Sequence, residues 1–237
     1  MRIGLASLRC KNNDPAFNMR QIGAAMKQAS GKADLLCFGE AVFQGFDALC
    51  WDYETDRERA FARDSETFAR LKEWTRLYGV ALLFGYIERE EQALYSSCAV
   101  LDRGEVLFNY RRISKDWKEY TRTDSHYKEG DAVGSFVFRG KKCTVALCGD
   151  LWDAPERFLT DGLLLWPVFI CYTPEEWEEG VCGEYAAQAG RAAADVLMIN
   201  PVCRESSCRG GAYHFRNGGV KEYLPMDREE ILFVSID

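Results

Sequence analysis

The 237-residue sequence holds only two histidines, His126 and His214, and none of its ten cysteines is spaced C-x-x-C from another. That spacing argues against a zinc site or a thioredoxin-like motif, and two histidines leave few nitrogen ligands for a structural metal. No apolar run approaches the roughly 18–20 residues of a membrane helix. The longest candidate, "DGLLLWPVFICY", is short and carries a proline. Positive charge is also in deficit: 30 Lys and Arg against 37 Asp and Glu give a net −7, which argues against nucleic acid as the main partner. "MRIGLASLRC" lacks the long apolar stretch of a signal peptide, so a cytoplasmic protein with reduced thiols is expected. Most of the cysteines then read as small core residues.

What is present is ordinary globular material, 47% hydrophobic and 28% charged, with no internal repeat, low-complexity tract or linker. "RIGLASL" reads as a strand. Asp14 and Pro15 open a helix carrying Phe17, Ile22, Met26 and Ala29 at helical spacing. "ADLLCFGE" is a continuous apolar strand ending on Glu40. Ser65 caps a second amphipathic helix that closes at Gly79. Strands follow in "VALLFGYIE", "LYSSCAVLD" and "EVLFNYR". "SFVFRG" and "KCTVALCGD" form a hairpin with Gly140 and Lys141 at its turn. "LLLWPVFI" is a buried strand, "EYAAQAGRAAAD" a helix rich in small residues, and four closing strands lead to "ILFVSID". The expectation is a single α/β domain over residues 1–237 with a large, mixed, mostly covered sheet.

Two strands end on reactive groups. "LLCFGE" sets Glu40 just past its end, and "TVALCGD" does the same for Cys148. Loops at strand ends line the ligand crevice of α/β sheets. A thiol there can serve as a covalent nucleophile if a neighbour takes its proton, and a buried glutamate can be that base. The basic stretch "NYRRISKDWKEY" supplies Arg111, Arg112, Lys115 and Lys118 as cations for negative charge built on an attacked atom. The bland alternatives are a core cysteine, a capping glutamate and a solvated basic loop. Asp150 reads as more structural than catalytic, and Cys143 as packing.

In this order the motifs resemble the nitrilase superfamily of carbon–nitrogen hydrolases. "LLCFGEAVFQGF" is similar to that family's glutamate segment, and "LFNYRRIS" to its strand leading into Tyr-x-Lys. "YKEGDAVGSFVFRGKKCTVALCGDLWDAPERF" resembles its turn, hairpin and Cys-x-Asp elbow, and "AADVLMINPV" and "EEILFVSID" its closing strands. The likeness runs through essentially the whole chain. It implies a four-layer α-β-β-α sandwich, a Glu-Lys-Cys triad, and hydrolysis of amides, nitriles or carbamoyl groups through a thioester, without cofactor or metal. By residue it implies Cys148 as nucleophile, Glu40 as general base and acid, and the Gly149 N–H in the oxyanion hole. It also implies a small amide-type substrate and a homodimer or larger homo-oligomer.

One position departs from the pattern. The family's lysine falls on Arg112. Arginine can stabilise an oxyanion but practically never gives up its proton. Arg112 does the electrostatic work, Lys115 reaches in from the loop, or the chain is an impaired relative acting as a binding or interaction module. For the family's second glutamate, Glu119 is the best-placed candidate.

Overall fold

A computed structural model describes residues 1–236. Its strands run β1 (Arg2–Ser7), β2 (Leu35–Cys37), β3 (Ala81–Glu90), β4 (Ala93–Asp102), β5 (Glu105–Arg111), β6 (Ser135–Phe138) and β7 (Lys141–Val145). Then come β8 (Leu163–Pro167), β9 (Asp195–Ile199), β10 (Val202–Cys203), β11 (Cys208–Arg209), β12 (Ala212–Arg216), β13 (Gly219–Leu224) and β14 (Glu230–Ser235). The helices are α1 (Pro15–Ala29), α2 (Tyr53–Arg59), α3 (Glu66–Tyr78), α4 (Asp150–Asp153), α5 (Pro174–Glu176) and α6 (Cys182–Gly190).

Two six-stranded mixed sheets form the body, ordered β14-β1-β2-β3-β4-β5 and β13-β12-β9-β8-β7-β6, with β10 and β11 as a separate ribbon. Alternation along the strands explains why they stack. Leu35 and Cys37 of β2, and Ala81 and Leu83 of β3, face a core shared with Cys143, Val145 and Leu165 of the other sheet. Their neighbours Leu36, Leu82 and Phe84 face outward, onto Ile22 and Met26 of α1 and Phe68 and Leu71 of α3. On the far side α6 lays Tyr185, Ala186 and Ala189 against the second sheet. The result is the α-β-β-α sandwich that the family resemblance implied, with two stacked sheets where the apolar pattern alone read as one large sheet. Burying a Leu, Ile or Phe side chain contributes about 1.5–3 kcal/mol, so this core can carry local strain elsewhere. No helix of the described residues is long and apolar enough to cross a membrane.

Several element ends differ from the sequence reading. The β6–β7 turn centres on Arg139 and Gly140, both at positive φ, and Lys141 already pairs with Phe138. Two consecutive residues at φ > 0 make the tight hairpin turn that suits twisted strands. Helix α2 was not expected; Asp52 caps it by accepting from the Thr55 N–H. The helical stretch before β9 starts at Pro174, where Thr173 and Glu176 form a capping box, and α6 ends at Gly190 rather than Asp195.

Candidate active site

Three strand ends converge. After β2 the chain passes Gly39, where a Cβ would lie 2.5 Å from Pro201, and reaches Glu40. The Glu40 N–H donates to the Val168 carbonyl of the opposite sheet (3.1 Å), and Gly85 of β3 crosses directly over the loop. Beyond β5, the Arg112 N–H donates to the Ser96 carbonyl (2.9 Å) and its own carbonyl accepts from Gly130 (2.7 Å). Beyond β7, the Cys148 N–H donates to the Pro167 carbonyl (2.9 Å), and the Trp166 indole N–H donates to the Cys148 carbonyl (2.9 Å). Cys148 sits at φ 40° and Ala41, next to Glu40, at φ 46°. Left-handed backbone costs an L-residue about 1–2 kcal/mol, and here it occurs at both residues flanking the site.

The polar groups interlock. Glu40 is fully buried and Arg112 is 2% exposed. Arg112 Nη1 donates to Glu40 Oε1 (3.0 Å), and the Ser96 hydroxyl donates to the same oxygen (2.8 Å). Arg112 Nε donates to the Ser114 hydroxyl (2.6 Å). The remaining guanidinium nitrogen, Nη2, faces Gly149: a Cβ there would lie 2.6 Å from it. Glu40 Oε2 is buried with no hydrogen-bond partner. An unpartnered buried carboxylate oxygen is costly, and the Cys148 thiol is within reach of the Glu40 carboxyl group.

The electrostatics follow from this packing. Burial pushes the Cys148 thiol up to about 12; the Glu40 charge adds to the rise and Arg112 opposes it. The resting sulfur is therefore a thiol. For Arg112 burial works against the charge, but the Glu40 and Asp150 carboxylates raise it above the ordinary arginine value. Arg112 stays a cation.

Asp150 ties two of the three loops together. Its carboxylate accepts from the Tyr110 hydroxyl (2.6 Å), from Leu147 N–H (2.7 Å) just before the thiol, and from Ile113 and Ser114 N–H (3.1 and 2.8 Å) just after Arg112. Burial nonetheless lifts its carboxyl above the usual carboxylate range.

The structure thus brings together Glu40, Arg112, Cys148 and Gly149. Lys115 and Glu119 are exposed, and neither side chain bonds to Glu40, Arg112 or Cys148. The reason is local: Ser114 turns inward to Arg112, so the next residue points out. Lys118 instead pairs with Glu129 (2.9 Å). Neither histidine belongs to the site; His214 lies between Asp195 and Glu222, and His126 stacks on Tyr53. The sequence reading missed Ser96 and Ser114. Period-two alternation could have found Ser96, one residue before Ser97 in β4. Of the aromatics that could wall the site, Trp166 and Trp177 are buried and pack with Tyr185, and Phe46 stacks on Phe169 beside Cys148, at 5.0 Å.

The carbon-nitrogen hydrolase family profile matches residues 2–154, from β1 to just beyond the Cys148 elbow. The chain belongs to the carbon-nitrogen hydrolase family. A glutamine-dependent NAD(+) synthetase of Thermotoga maritima is 27% identical over 158 residues, 66% of this chain and 27% of that protein. An (R)-stereoselective amidase of a Pseudomonas species is 24% identical over 156 residues, 66% of this chain and 54% of the amidase. The matched segment therefore spans about half or less of these relatives. Among solved structures, a carbon-nitrogen hydrolase superfamily protein of Xanthomonas campestris aligns over all of this chain and 90% of its own, with TM-score 0.80 at 17% identity. A variant of a nitrilase-superfamily amidase from Nesterenkonia aligns over the same shares, with TM-score 0.80 at 18% identity. At such identity the two structures speak for the fold.

Proposed function

We propose that this carbon-nitrogen hydrolase is an amidase that works through a Cys148 thioester. The observation that carries the reading is the Glu40 carboxylate, which acts on the Cys148 thiol with one oxygen fixed by Arg112 and Ser96 and the other, Oε2, buried and unpartnered. One carboxylate oxygen is anchored and the other is left for proton transfer. A thiol held near 12 needs such a base, because little thiolate exists at neutral pH.

In this reading Glu40 takes the Cys148 proton as sulfur attacks the amide carbonyl. The tetrahedral oxyanion is held by Arg112 Nη2 and the Gly149 N–H, which the close approach of glycine to the guanidinium permits. Protonated Glu40 returns its proton to the departing amine, and the C–N bond breaks to leave a thioester. Water, deprotonated by Glu40, then releases the acid and the free thiol. Arginine suits a role of charge alone, since no step asks the cation for a proton. The relatives' names share this chemistry: one is an amidase, and the synthetase depends on glutamine, whose side chain is a primary amide.

The test is ammonia release from a panel of small primary amides, including glutamine. Turnover is expected in the native chain and is expected to be lost in Glu40→Gln. If no amide is hydrolysed by folded protein, the chain acts as a binding module instead.

A further inference from the structure

Four of the ten cysteines gather away from Cys148, around the β10–β11 ribbon. Cys203 and Cys208 are direct partners across it. Cys10 is held alongside by its N–H bond to the Val202 carbonyl (2.8 Å). Cys171 joins from the loop after β8, through Asn200. The Asn200 Oδ1 accepts from Ile170 N–H (3.0 Å) and from the Cys208 thiol (3.3 Å), while its Nδ2 donates to the Ile170 carbonyl (3.0 Å). One side chain thereby fixes the residue before Cys171 and the sulfur of Cys208. The thiols fall into two contacting pairs, Cys10 with Cys203 and Cys171 with Cys208. No group of three among the described residues is placed to hold a metal ion.

The pairs differ in access. Cys10 and Cys203 are both fully buried, whereas Cys171 is exposed and its partner Cys208 is buried. Contact with Cys208 lowers the Cys171 thiol below its ordinary value, and burial raises Cys208. An exposed sulfur resting against a buried thiol is the arrangement of an attacking and a resolving cysteine.

We infer that Cys171 and Cys208 form an oxidisable dithiol site that a hydroperoxide converts to a disulfide. The Cys171 thiolate attacks one peroxide oxygen, the O–O bond breaks, and hydroxide leaves to take up a proton as water. The sulfenic acid formed on Cys171 is then attacked by the Cys208 sulfur. Its S–O bond breaks, and the second hydroxide departs as water with the Cys208 proton. With hydrogen peroxide, two thiols give one disulfide and two waters; sulfur is oxidised and the peroxide reduced. The new bond lies two residues from the Phe169 carbonyl that accepts from the Cys148 thiol (3.8 Å).

The experiment treats the full chain, and in parallel Cys148→Ser, with one equivalent of hydrogen peroxide at pH 7. N-ethylmaleimide then traps free thiols, and intact mass and non-reducing peptide mapping follow. Both proteins are expected to lose two hydrogens, to yield a linked Cys171–Cys208 peptide, and to recover both thiols with dithiothreitol. Cys171→Ser, a change at an exposed position, is expected to yield no link and to leave Cys208 free to alkylate after denaturation. A link joining Cys203 to Cys208, or Cys171 driven to sulfinic acid while Cys208 stays free, overturns the inference. Because Cys148 takes no part, the outcome is independent of amide hydrolysis.

Discussion

At the scale of single residues, the doublet Arg111-Arg112 shows how neighbours acquire different jobs. Successive side chains at a strand end point to opposite faces. Arg111 reaches the buried Glu88, which Ser97 also holds, while Arg112 reaches the buried Glu40, which Ser96 also holds. Two adjacent serines and two adjacent arginines thus serve two carboxylates. For Glu88 burial alone would raise the carboxyl, but Arg111, Ser97 and Asn109 outweigh it and hold it below its usual value. Removing the charge at Arg112 strands a buried carboxylate, which typically costs about 3–5 kcal/mol. In the proposed mechanism it also removes an oxyanion donor, worth on the order of 10²–10³ in turnover. Arg112→Met is therefore expected to lower both the urea midpoint and kcat. Arg112→Lys, which keeps the charge without the fork, should fall between Met and the native residue on both readings. Equal turnover in all three would remove Arg112 from the reaction. The sequence marked Glu40 and Cys148 because each stands just past an apolar run, and Arg112 because the family resemblance puts its lysine at that position. It left the choice between Arg112 and Lys115 open, since which of two loop cations turns inward depends on Ser114 and on the crossing of Asp150, both distant in the chain or silent in pattern.

At the scale of elements, the site depends on how closely β3 passes the Glu40 loop. A Cβ on Gly85 would meet Ala41 N at 2.5 Å, Glu40 Cα at 2.6 Å and the Gly39 carbonyl at 2.7 Å, all backbone atoms that cannot swing aside. Gly85→Ala is expected to shift Glu40 and to cut kcat/KM by roughly 10²-fold, the order expected when a catalytic group is displaced by about 1 Å. Steady-state kinetics beside a urea titration check this; unchanged kinetics in the folded variant would show that the loop absorbs the methyl group. Strands and the two long helices were legible because their apolar periods are regular. Helix α2 and the capping box at Thr173 were not, although Asp52 and the Thr173–Glu176 pair carry the signal, because both lie in polar, charged stretches that read as loop.

At the scale of the whole molecule, two sheets close over a shared core, and that burial holds Cys148 and Ala41 in left-handed backbone. It also keeps the buried Cys143 and the partly buried Cys148 protonated: desolvation lifts Cys143 to about 11 and, with the Glu40 charge, Cys148 to about 12, against an ordinary value of 9.0. Between those limits the native state binds more protons than the unfolded chain, so stability falls as pH rises. The urea midpoint is expected to hold up to about pH 9 and then to decline toward pH 12, with a shallower decline in Cys148→Ser. The same slope in both proteins would mean that Cys148 ionises freely in the fold. The sandwich was legible through the motifs that carry the family resemblance, whereas the order of strands alone read as one large mixed sheet. The pairing of Glu40 with Cys148, from different sheets, was legible only through the family resemblance, because no pattern along the chain foretells which residues meet when two sheets stack.

The measurement that tests the account most directly is peptide mass mapping of the native chain, quenched in acid during turnover of an amide. The account predicts an acyl group on Cys148 with stoichiometric release of the amine, and neither in Cys148→Ser. Amine release that persists in Cys148→Ser would contradict it.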